Sequence, residues 1–118
     1  MNLRIKQMLD RGVSGKERLW MVAEADLDLA FYVVFDTRFE EGGISSGPKH
    51  VHWWATHSVK KGDWVILYTG TGASQIQART DGKTNHFFHW GFPNALWNDK
   101  DGCAVLLELT SWETWPDR

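Results

Sequence analysis

Apolar positions along the chain fall in short runs with the period of two expected of strands. Arg18 to Ala23 (RLWMVA), Phe31 to Phe35 (FYVVF), His50 to Ala55 (HVHWWA), Trp64 to Thr69 (WVILYT) and Cys103 to Leu109 (CAVLLEL) are rich in β-branched and aromatic residues. Two further strands, Ser74–Thr80 and Asn85–Trp90, flank Asp81-Gly82, a strong hairpin-turn signal. Polar breaks separate the runs: KKGD before Trp64, the segment Asn98 to Gly102, and the Gly/Ser-rich stretch EEGGISSGPKH. Short strands at this spacing predict an antiparallel sandwich or barrel. At the N-terminus Leu3, Ile5, Met8 and Leu9 lie partly on one helical face and Gly12 supplies a stop. Residues 1–14 are therefore read as a short helix or arm, and residues 15–118 as one all-β domain.

Composition narrows the function classes. A chain of 118 residues is one domain, long enough to bury a core without staples. The net charge of −2 lacks the clustered Lys/Arg excess that grips a nucleic-acid backbone, although Lys60, Lys61, Arg79 and Lys83 form a local basic group. Cys103 stands alone and cannot form an intramolecular disulfide. The charged opening MNLRIKQMLDRG has no apolar core of the signal-peptide kind. No apolar run approaches the roughly 20 residues needed to span a bilayer. The expectation is a soluble, cytoplasmic protein with no membrane partner.

One stretch, Lys60 to Leu109, carries a sequence of motifs. A turn leads into a strand (KKGDWVIL). Then come a Thr-Gly-x-Gly element (YTGTG), an aromatic strand ending in Trp-Gly (FFHWG), the tetrapeptide LWND, and an apolar strand (AVLLEL). In this order the motifs resemble those of the lamin tail domain, and Phe31 to Thr37 (FYVVFDT) is similar to that family's early strand. Asn98-Asp99-Lys100-Asp101-Gly102 stands where the family usually has Asn-Asn-x-Gly-Asp. The resemblance implies a single immunoglobulin-like antiparallel β-sandwich. It also implies a non-enzymatic, adhesive module for protein or nucleic-acid partners. Read physically, Gly70 and Gly72 supply positive φ or a bulge at a strand end.

The residues that could carry chemistry have plain alternatives. His50 and His52 share one strand face, whereas His86 and His89 point to opposite faces. No carboxylate or cysteine completes a zinc pattern, so no metal or other cofactor is expected. YTGTG lacks the Lys-Ser/Thr and helix start of a phosphate loop. No serine sits in a nucleophile motif, and no pair of acids has a fixed spacing, so no catalytic residue is assigned. Eight tryptophans in 118 residues are far above usual usage; filling the core of a small sandwich and forming a stacking or protein-contact surface are both open readings. Trp53 and Trp54 are neighbours on a strand, so one of them leaves the core.

The sequence thus reads as a binding module whose recognition surface is the Gly42–His57 loop and strand. Its members are His50, His52, one of Trp53 and Trp54, and His57, joined by Arg79, Lys83 and His86 of the second hairpin. The first reading is protein interaction with self-association. The alternative is a small-ligand protein that holds or sequesters a nucleotide between aromatics and basic groups, as some phage counter-defence proteins do. A metal-dependent hydrolase ranks last.

Overall fold

The computed structural model describes residues 1–45 and 47–116. Its strands are β1 (Leu3–Leu9), β2 (Arg18–Ala23), β3 (Leu27–Asp28), β4 (Tyr32–Glu40), β5 (Gly43–Ile44), β6 (His50–Trp53), β7 (Ser58–Val59), β8 (Trp64–Tyr68), β9 (Gln75–Ala78), β10 (Thr84–His89) and β11 (Gly102–Glu108). One 3-10 turn, Leu29–Phe31, is the sole helical element among the described residues. Among the described residues no helix is long and apolar enough to cross a membrane.

Two sheets face each other. The larger has the order β1-β2-β8-β10-β9. In the smaller, β4 is central, with β11 on one side and β5 and β6 on the other. Alternation decides which side chains meet between them. Leu3 of β1, Leu19, Met21 and Ala23 of β2, and Val65 and Leu67 of β8 point inward to Tyr32 and Val34 of β4, with Trp54 and Val59. Met8, Phe88, Trp90, Ala104 and Leu106 pack around this cluster. A side chain such as Leu67, fully buried, contributes about 2 kcal/mol through surface removed from water.

The N-terminal segment is not a helix. Residues 3–9 form edge strand β1, paired antiparallel with β2. A register shift between Ile5 and Gln7 explains the misleading pattern. Leu3 and Met8 both reach the core, although five residues apart, because the bulge inserts one extra residue and reverses the alternation. The sheet is also not wholly antiparallel. Chain reversal at Asp81-Gly82 does pair β9 with β10, and Gly82 takes the φ of +83° that the turn requires. It is β10, however, that inserts beside β8, and the two run parallel.

Neither glycine of YTGTG takes the positive φ expected at Gly70 and Gly72, and Gly72 serves a different end. A Cβ there would lie 2.4 Å from Nε2 of His89, so the position must be glycine to let that ring sit against the backbone.

The connection from Phe92 to Asp101 is anchored by Glu17. Its carboxylate has no exposed surface and accepts from the amides of Gly12 (2.7 Å), Leu96 (2.8 Å) and Trp97 (3.2 Å) and from the Thr69 hydroxyl (3.0 Å). Arg11 binds the same connection from outside, donating to the carbonyls of Trp97, Asp99 and Gly102. The LWND motif is thereby held over one end of the sandwich, with Trp97 buried.

Candidate functional site

Strand β6 orders the site, and its polarity is the reverse of that expected of a surface strand. His50 and His52 lie on its inner side, whereas Val51 and Trp53 point to solvent. His52 is packed edge-on between Trp54 (4.8 Å) and Trp90 (5.7 Å), and burial lowers its pKa. His50 meets Phe92 at the sandwich rim and contacts the nearly buried Asp36, which also accepts the His50 amide at 2.6 Å. Of the tryptophan pair, Trp53 is 48% exposed and Trp54 is a core residue. The two histidines thus share the inner face, with His52 packed among tryptophans and His50 partly exposed at the rim.

The outward positions of the smaller sheet form a continuous apolar surface. Register places Leu107, Val33 and Trp53 in one row and Val105, Phe35 and Val51 in the next. Phe31 and Trp112 extend it: the Trp112 ring lies 5.3 Å from Phe31 and 5.1 Å from Trp53. Trp53 is fixed in place, since its indole N–H donates to the Ala30 carbonyl at 2.8 Å. Phe31, Val51, Trp53, Leu107 and Trp112 are 39–56% exposed, on the order of 500 Å² of apolar surface, which is at the upper end for a monomer.

Sequence reasoning found Trp53 in this group and missed the rest. The signal lay in HVHW: a strand whose alternate residues are histidine and Val/Trp can face either way. Only Tyr32 and Val34 of the neighbouring β4, which claim the inner side, force Val51 and Trp53 outward.

His57 and His86 belong to a second, separate arrangement. His86 is buried and contacts Asp63 Oδ2 through Nε2 (2.9 Å) and His57 Nε2 through Nδ1 (2.8 Å). Asp63 also accepts the amides of Lys60 and Thr84. Burial raises the Asp63 pKa, but the His86 bond and the two amides outweigh it, so the net shift is downward. Burial, reinforced by the neighbouring His86, lowers the pKa of His57. An ionised Asp63 is an acceptor only, so His86 donates its Nε2–H to it, and the Nδ1 of the same ring is hydrogen-bonded to His57 Nε2. This chain ties the KKGD turn, β10 and the segment before β7 together in the interior.

The remaining predicted residues lie elsewhere. Arg79 stacks over the Trp64 ring at 4.2 Å, on the outer face of the larger sheet, and pairs with Asp81. Lys83 is exposed, with its aliphatic stem beside Gly62. The eight residues expected to form one surface are therefore divided among the interior, the smaller sheet's outer face and the larger sheet. No group of three or more His, Cys, Asp or Glu among the described residues is arranged to hold a metal. Comparison with protein-family models, with curated proteins and with solved structures finds no match to this chain.

Proposed function

We propose that this protein is a non-catalytic interaction module that self-associates through the outer face of its smaller sheet. The observation that carries the reading is the reversed polarity of β6, with His52 inside and Val51 and Trp53 outside. A sheet face left in water ordinarily carries the polar half of the alternation. Here both rows of that face are apolar. The face carries no charged side chain in its two rows, so an apolar partner of the same kind is its complement.

Area supports a second copy of the chain. Two such faces packed together would bury about 1,000 Å², at the threshold for a specific interface. Trp53, rigidly oriented and half exposed, has the character of an anchor residue. We read the frame as the immunoglobulin-like sandwich of lamin tail domains; two sheets over one core and the motif order support that reading. The parallel β8–β10 pair is a feature the family reading must accommodate.

Sedimentation velocity across micromolar concentrations tests the proposal. The protein is expected to show a concentration-dependent dimer. Val51→Lys, at a 56% exposed position, should give a folded monomer. Trp53→Ala should weaken association by about 2 kcal/mol, roughly 30-fold. A wild-type protein that stays monomeric at every concentration, or a Val51→Lys variant that dimerises as the wild type does, rejects it.

A further inference from the structure

The outer face of the larger sheet is also apolar, but it is concave. Outward positions of β8 are Trp64, Ile66 and Tyr68; register sets Trp20 of β2 and Phe87 of β10 on either side of Ile66. Adjacent strands are about 4.8 Å apart, so Trp20 and Phe87 are rooted about 10 Å from each other across β8. Trp64 and Tyr68 are rooted about 13 Å apart along it. Four aromatic side chains thus stand around an aliphatic floor. Trp20 leans edge-on against Trp64 with ring centres 5.1 Å apart, leaving the notch open toward Tyr68. The groove has a volume of about 330 Å³, in the lower range for a small-molecule site.

The charges around it select the ligand. Arg79 already covers Trp64, and the Arg18 guanidinium lies 5.6 Å from the Tyr68 ring centre, so a cationic guest would meet two like charges. Arg18 spends only Nη1 on Asp10 and the Lys16 carbonyl. Its Nε and Nη2 hold no hydrogen bond among the described residues. One end of the groove can therefore receive an anionic group. A long polyanion fits poorly, because Asp10 and Asp81 flank the two arginines and the chain carries a net charge of −2. The protein's own groups show what these rings accept: the His89 imidazole lies stacked on Tyr68, 4.9 Å away and 10° from parallel.

We propose that this groove binds a single nucleotide, with the base on Ile66 among Trp20, Phe87 and Tyr68 and the phosphate at Arg18. Stacking supplies most of the affinity, and the one available guanidinium edge supplies the preference for a charged ligand. This site is independent of the face through which the protein self-associates.

Tryptophan fluorescence gives the test, since Trp20 and Trp64 line the groove. The four ribonucleoside 5′-monophosphates are titrated beside their nucleosides and an oligonucleotide on the order of ten residues long. At least one monophosphate should quench saturably with a Kd below about 1 mM, and its nucleoside should bind at least about fivefold more weakly. Phe87→Ala should cost about tenfold or more in affinity. Ile66→Phe, which raises the floor with another good strand former, should do the same and protects the test if Phe87→Ala fails to fold. Sedimentation of Ile66→Phe should be unchanged. The proposal is overturned if no monophosphate binds saturably or if Ile66→Phe binds as tightly as the wild type. A nucleoside that matches its nucleotide, or an oligonucleotide that binds tenfold more tightly than any monophosphate, overturns it as well.

Discussion

Replacing Glu17 by Gln should destabilise the protein severely, although the change is nearly isosteric and far from either outer face. The carboxylate is fully buried and has four donors pointed at it: three backbone amides and the Thr69 hydroxyl. An amide side chain offers one acceptor oxygen and turns an N–H₂ group toward donors. At least one, and commonly two, of the amides of Gly12, Leu96 and Trp97 then lose their partner. Each such buried donor costs about 1–3 kcal/mol. The expected loss is about 2–4 kcal/mol, which for a domain of this size lowers Tm by roughly 8–16 °C. Glu17→Ala should lose more, about 3–5 kcal/mol, because all four donors are stranded beside a cavity. Thermal and urea unfolding followed by circular dichroism measure both variants. A Glu17→Gln protein within 0.5 kcal/mol of the wild type would refute the reasoning, since the Phe92–Asp101 connection would then not depend on this carboxylate.

Three further outcomes follow from the titratable groups. Asp63→Asn should cost about 2–3 kcal/mol in urea unfolding, because the His86 ring, buried, loses its charged acceptor; stability within 0.5 kcal/mol of the wild type would remove the relay from the account. Acidification should weaken the fold in two windows. His52 and His57 titrate lower in the folded chain than in the unfolded one. Their contribution is therefore complete above the ordinary histidine pKa of about 6.5 and declines as pH falls below it. Asp63, Asp81, Asp99 and Glu108 have lowered carboxyl pKa values and add a second decline below about pH 4. Flat stability between pH 7 and pH 5 would contradict the buried placement of His52. Burial also raises the Cys103 thiol, so iodoacetamide should modify it severalfold more slowly at pH 8 than it modifies glutathione; an equal rate would place that thiol in open solvent.

Much of the frame was legible in the sequence because its signals are local. The strand Arg18–Ala23 and the hairpin at Asp81-Gly82 need only alternation and a turn residue, and both appear where those signals lie. The errors arise where a distant partner decides. Leu3, Ile5 and Met8 mimic a helix only because a bulge, set by pairing with β2, shifts the parity of β1. His50 and His52 draw the eye as surface chemistry, yet their strand is turned by β4, eighteen residues earlier at Val34 for His52. Glu17, just ahead of the strand that begins at Arg18, has partners about eighty residues away. The aromatic groove joins β2, β8 and β10, and no window of sequence contains all three.

The central claim is that the Val51–Trp53 face is covered by a second copy of the chain. Hydroxyl-radical footprinting of side chains at low and high protein concentration addresses it directly. Trp53 and Trp112 are predicted to be oxidised readily in dilute protein and protected as concentration rises, while Trp20 and Trp64 change little. If Trp53 and Trp112 remain equally reactive at concentrations where the protein is fully associated, another surface makes the contact and the account is wrong.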